Sequence, residues 1–180
     1  MTAFERLADE LREHGAPAAL RAAALTAAED ERRHAEAMTA QARRFGAAVV
    51  AVAVQPPTPR SLLALACENA VEGCVRETWA ALLALHQAQV AADPEVRAMM
   101  AVIADEERRH AELAWAIDAW ARTRLSGVEV AELDAARTEA AVRLRPNLEP
   151  PEALADSLGL PRLARAAPMW QTLAAALWAA

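Results

Sequence analysis

The sequence predicts an all-α protein: four long helices in a bundle, one long connection between the second and third, and shorter helices after them. Three observations predict it. The 180-residue chain is 55% hydrophobic but only 4% aromatic, with 5 glycines, a balance that suits closely packed helices better than sheet. Apolar residues recur at helical spacing through stretches punctuated by Gly and Pro. The hexapeptide Glu-Arg-Arg-His-Ala-Glu occurs twice, at Glu31 to Glu36 and at Glu107 to Glu112, each time inside such a stretch.

The first helix is expected from Ala3 to His14, ending at Gly15-Ala16-Pro17, where glycine closes one helix and proline opens the next. The second runs from Pro17 to Phe45 and stops at Gly46, a length of about 43 Å at 1.5 Å per residue. Residues Gly46 to Arg60, with Pro56, Pro57 and Pro59, cannot be helical throughout. Extended, they span about 50 Å, enough to return along the whole preceding helix. Ser61 is expected to cap a third helix reaching Ala91, and Asp93-Pro94 to open a fourth reaching Leu125. Ser126-Gly127 then ends the bundle, so that residues 1–125 form one domain and 126–180 a helical extension packed on it. Prolines at 146, 150, 151, 161 and 168 leave room there for helices around Val130 to Leu144 and Met169 to Trp178.

A net charge of −6 and a pI near 5.3 offer no electrostatic footprint for nucleic acid or an anionic membrane surface. The longest apolar runs, Ala47 to Val54 and Leu173 to Ala180, fall short of the roughly 18 to 20 residues that a membrane span needs. The start, Met-Thr-Ala-Phe-Glu-Arg, lacks the pattern of a secretory signal, so the cytoplasm is the expected location. Cys67 and Cys74 stand two turns apart on one expected helix, about 10 Å along its axis, and read as small core residues rather than a disulfide.

On a helix, a glutamate and a histidine three residues apart share a face, about 5 to 6 Å apart at Cβ, so both can reach one metal ion. Glu31 with His34 makes one such pair and Glu107 with His110 the other. A single charged run of this kind is usually a solvated face laced with ion pairs, here Glu29 with Arg33 and Arg32 with Glu36. Two copies in matching hairpins, with Pro17 lying 14 residues before Glu31 and Pro94 lying 13 before Glu107, favour metal binding over that reading. His14 and His86 have no glutamate three residues before them and are expected at the surface or in loops.

Two dications held close together need further anionic ligands. The third helix offers Glu68, Glu72 and Glu77. Reflecting His110 about the turn near Ala92-Asp93 favours Glu77, Glu72 lies about one and a half turns further along, and the choice between the two stays open. On the first helix the same reflection reaches only Met1 and Thr2. Glu5 is too close to the hairpin turn and is expected to be solvated. Either the site is incomplete or the functional chain begins earlier.

Asp30-Glu31-Arg32-Arg33-His34 matches the Asp-Glu-x-Arg-His pattern of the di-iron carboxylate oxygenases, and Glu106-Glu107-Arg108-Arg109-His110 matches it with Glu for Asp. On these motifs the chain resembles the ferritin-like superfamily over residues 1–125, and the segment from Glu68 through Glu72 to Glu77 looks like the third helix of bacterial ferritin-like domain proteins. The resemblance implies a ferritin-like four-helix bundle with its crossover between helices 2 and 3. It also implies two Fe (or Mn) ions held by Glu31, His34, Glu72 or Glu77, Glu107 and His110. The first-helix glutamate usual in those proteins is missing here.

Because metal-bound imidazoles donate their second N–H to a carboxylate, Asp30 and Glu106 are expected to serve the histidine of the opposite helix, with Arg109 and Arg33 holding them. The chain has no tyrosine, so no tyrosyl radical can form on it. Trp79, Trp115 and Trp120 read as core.

The expected function is an O2-dependent oxidoreductase acting on a small-molecule substrate. Iron handling or peroxide scavenging is one alternative, and a scaffold with an incomplete site another. A homodimer is compatible with the leading reading, whereas storage would require assembly into a shell, which a monomer or dimer would exclude.

Overall fold

The computed structural model describes residues 3–50, 58, 60–146 and 149–178. All regular structure among them is helical, and no helix there is long and apolar enough to cross a membrane. The expected course of the crossover falls mostly on 51–57 and 59, and the first-helix ligand position on Met1 and Thr2, all outside the described residues. The chain divides into two compact units, Met1–Ser61 and Leu62–Ala180.

The first unit is a helical hairpin of α1 (Ala3–Glu13) and α2 (Ala18–Arg44). Gly15 adopts φ +70° between them, with the Ala16 N–H on Leu11 O at 2.8 Å and the Gly15 N–H on Arg12 O at 3.1 Å. These are the two bonds of a Schellman motif, which needs a left-handed residue that glycine supplies without steric cost. Beside the fully buried Leu11 lies a buried acid, Glu10. Arg60, just after the crossover, grips its carboxylate at 2.8 Å through Nε and 2.5 Å through Nη2, and Arg6 adds a contact at 3.3 Å. His14 is no loose surface residue either: its Nε2 donates to Arg60 O at 3.0 Å. Burial pushes the Glu10 carboxyl up, but Arg60, by hydrogen bond and charge, and Arg6 outweigh it and hold the pKa below the ordinary 4.5.

Among its described residues the second unit holds five helices. The first of them, α3, spans 62–90 and changes gauge along its length: α-helical turns at Leu62–Glu68, wide π-helical turns at Asn69–Glu77, then α-helical turns at Thr78–Val90. α4 (Pro94–Arg122) starts as expected, with Asp93 accepting from Glu95 N at 2.9 Å and Val96 N at 3.1 Å ahead of Pro94. α5 (Gly127–Leu144) starts at Ser126 in a capping box with Glu129, so that serine opens a helix as well as following one. α6 (Glu152–Leu158) is a short helix that proline spacing alone does not reveal. α7 spans 163–178, six residues earlier than expected at its start; it contains Pro168 and ends in a π turn, Ala174–Trp178.

Three apolar clusters line α3. Near its end Ala84 and Ala91 meet Val96, Met100 and Ile103 of α4, with Leu158 of α6 against them. Ala66 and Ala70 meet Ala121 of α4 and Leu133 of α5. Val75 meets Ala141 of α5 and Trp178 of α7. The C-terminal helices thus complete the core around α3, while α6 caps the α3–α4 turn through Ala92 N–H on Asp156 O at 2.8 Å and Gln87 Nε2 on Leu158 O at 2.8 Å. A partly buried ionic set joins α4 to α5: Arg122 binds Asp118 at 2.7 Å and Asp134 at 2.5 Å, and Arg137 binds Asp134 at 2.7 Å. Its two acids and two bases balance.

Two predictions follow from these contacts. An alanine Cβ at Gly73 would lie 2.5 Å from Ala114 Cβ and 3.0 Å from Asn69 Oδ1. Helix propensity favours Gly→Ala by about 1 kcal/mol, but overpacking costs about 1 to 3 kcal/mol, and neither rigid neighbour can retreat. Gly73→Ala therefore lowers the urea-unfolding free energy, by up to about 2 kcal/mol; a more stable variant would show the approach is looser than this. Glu10→Gln lowers stability at neutral pH. Because the folded-state pKa of Glu10 lies below 4.5, the gap between parent and variant persists above that value. It closes as pH falls through the lowered pKa, read from urea-unfolding midpoints against pH.

Candidate metal centre

The two copies of the hexapeptide sit on α2 and α4, and each copy separates its residues by face. On α4, His110 is almost wholly buried, its side chain 1% exposed, and Glu107 shares its face at 12%. Arg108 and Arg109 point outward, where Arg108 pairs with Glu112 and with Asp105 at 3.0 Å, and Arg109 with Asp105 at 2.5 Å. The solvated-face reading holds for the arginines and fails for the glutamate and histidine. That division follows from helical spacing, since positions three apart share a face and those between do not.

α3 adds the third group. Glu77 closes the wide segment and brings Oε2 to 3.9 Å from His110 Nδ1, while Glu107 Oε2 lies 3.6 Å from the same nitrogen. One ligand atom from each of Glu77, Glu107 and His110 lies within 4.8 Å of the others. Two atoms bonded to one ion at about 2.1 Å stand about 3 to 4 Å apart, depending on the angle between them. The spacing and the donor chemistry, two carboxylates and an imidazole, fit an oxygen- and nitrogen-liganded dication.

Glu72 does not join this group. It lies on the exposed side of α3, where both its oxygens meet Arg76 Nη1 at 2.9 Å. Glu68 is exposed as well. Counting back from the α3–α4 turn favours Glu77, and the geometry agrees, although the count assumes uniform α-helix and the wide turns shift everything before Thr78.

On α2, His34 is buried and its Nδ1 lies 3.2 Å from Glu31 Oε1. Asp30 beside them is buried and bonded to Arg33 of its own helix; Glu106 of α4 is buried with Arg109 at 3.8 Å. Each of these carboxylates has an arginine three residues on along the same helix. Arg32 meets Glu29 and, on α1, Glu5, so Glu5 is held in a salt bridge.

The residues that sequence patterns missed are those securing the wide turns: Asn69, Gly73, Thr78 and Trp178. No protein-family model, curated protein or solved structure matches the chain, so its chemistry is read from the side chains alone. Because the Glu72–Arg76 pair is solvent-exposed, Glu72→Ala is expected to change unfolding free energy by no more than about 0.5 kcal/mol. A larger loss in thermal or urea unfolding would reveal a buried role.

Proposed function

We propose that the chain is a di-metal carboxylate protein, holding two Fe or Mn ions, that uses O2 to oxidise a small-molecule substrate. The observation that supports it best is the convergence of Glu77, Glu107 and His110 on the buried side of α3 and α4. One ion would be held by these three residues. Glu31 and His34, the same motif on α2 with its ligand atoms 3.2 Å apart, would serve the other. Such ions supply the electrons that dioxygen chemistry requires, which no protein side chain here provides as readily. The protein's share is to orient the ligands, keep the imidazoles away from solvent and leave the outward arginines to keep the helices soluble.

One observation favours a lesser variant, metal binding without oxygen chemistry. On α1, Glu5 is engaged by Arg32 and Glu10 by Arg60, so these two acids are committed to ion pairs rather than to metal.

Elemental analysis of protein purified under low oxygen with Fe and Mn supplied distinguishes these readings. The di-metal reading predicts about two ions per chain, with Glu107→Ala and His110→Ala losing metal while helicity by circular dichroism stays near the parent's. One ion per chain, lost in the same variants, would select the lesser variant. No metal, or metal unaffected by both substitutions, would overturn the proposal.

A further inference from the structure

Wide helical turns are uncommon because their hydrogen bonds are less favourable than those of an α-helix, and they persist where other contacts hold them. Those of α3 are held at successive points, all within the second unit. At the start, Asn69 Nδ2 donates to Ala114 O of α4 at 2.9 Å. One turn on, Gly73 lies so close to Ala114 that a Cβ would not fit. Just past the end, Trp115 Nε1 donates to Thr78 Oγ1 at 3.2 Å.

The fourth point comes from the far end of the chain. In an α-helix the Cys74 carbonyl would accept from the N–H of Thr78, four residues on. That N–H bonds Val75 O instead. The Cys74 carbonyl accepts the indole N–H of Trp178 at 2.9 Å, in a fully buried setting. The indole N–H thus takes up a carbonyl that the Thr78 N–H does not, and both groups, being buried, need hydrogen-bond partners. Trp115 is fixed in turn: the Arg137 guanidinium lies 5.6 Å from its ring centroid, and Arg137 is itself bound to Asp134 at 2.7 Å.

The rotation at stake is large. Each α-helical residue turns about 100°, so losing the extra residue of the wide segment would rotate one part of α3 against the other by an angle on the order of 100°. Glu77, the last residue of the segment, would swing off the face that meets Glu107 and His110.

We propose that Trp178 and Trp115 are positioning residues for the Glu77 carboxylate: their indole N–H groups hold the wide turns of α3 in place, so that Glu77 faces Glu107 and His110. The consequence for metal rests on the function proposed above, whereas the holding of the turns does not. The C-terminal helix is thus part of the site's construction although it supplies no ligand.

The test uses the full chain with Trp178→Phe, which keeps an aromatic ring in the core but removes the N–H, and with Thr78→Val set against Thr78→Ser, which keeps the acceptor. Two quantities are read: amide hydrogen exchange of the metal-free proteins, and Co2+ binding followed by its visible absorption. Trp178→Phe and Thr78→Val are expected to exchange about tenfold faster across residues 73–79, with α5 amides unchanged. Both should bind Co2+ about tenfold more weakly with an altered absorption envelope, and Thr78→Ser should match the parent. Unchanged exchange across 73–79, or faster exchange spread equally over α5, would overturn the proposal. If Trp178→Phe fails to fold, the Thr78 pair decides. If the parent binds no Co2+, the metal reading fails, and the exchange data alone still decide whether the two tryptophans hold the turns.

Discussion

The contact between Gly73 of α3 and Ala114 of α4 sets the geometry of the second unit. With no side chain at position 73, the two helices come close enough for the buried Asn69 amide to reach the carbonyl of Ala114. His110 lies one turn before Ala114 on the same face of α4, and Glu107 lies one turn before that. Any change in spacing or register at Gly73 is therefore transmitted to the distance between Glu77 and His110. Close packing makes this a rigid coupling, since an interior at crystal-like density cannot absorb a displaced methyl group without moving its neighbours.

The same unit handles buried charge in two different ways. Asp118 and Asp134 are matched by Arg122 and Arg137, so that the set is neutral and its geometry holds α4 to α5. Arg122 stays firmly charged, because the hydrogen bonds it donates to Asp134 and Asp118 raise its pKa. At Glu77, Glu107 and His110 two carboxylates and an imidazole converge instead, while the arginines of the motif face solvent. Two carboxylates and an imidazole are the donor types that a dication such as Fe or Mn takes, and the metal proposed above would be held there.

Much of this was legible in the sequence. Helix ends marked by Gly15, Gly46 and Asp93-Pro94 fall within about two residues of their expected places, because a left-handed turn and an N-cap are local preferences written in single residues. The two histidines stand on buried faces for a similar reason, since spacing determines the face, while Glu31 of the first pair keeps 36% of its side chain exposed. What was not legible depended on tertiary contacts. Asn69–Glu77 reads as ordinary helix in composition, and its wide turns are held by residues as remote in sequence as Ala114 and Trp178. Counting back from the turn favours Glu77, but the wide turns between Glu72 and Glu77 that put Glu72 on the exposed side are not marked in the sequence. The buried Glu10 went unnoticed since its partner, Arg60, lies 50 residues away. The capping box at Ser126 is signalled in the sequence by Glu129 three residues on, while Gly127 beside it signals a helix end.

The central claim is that Glu77, Glu107 and His110 hold a metal ion, and the most direct measurement is anomalous diffraction at the iron or manganese absorption edge from crystals of the metal-loaded protein. The account predicts an anomalous peak within bonding distance of one carboxylate oxygen each from Glu77 and Glu107 and of a His110 ring nitrogen. Full occupancy of the crystal by metal with no peak at those three residues, or with peaks only at surface acids such as Glu72, would contradict it.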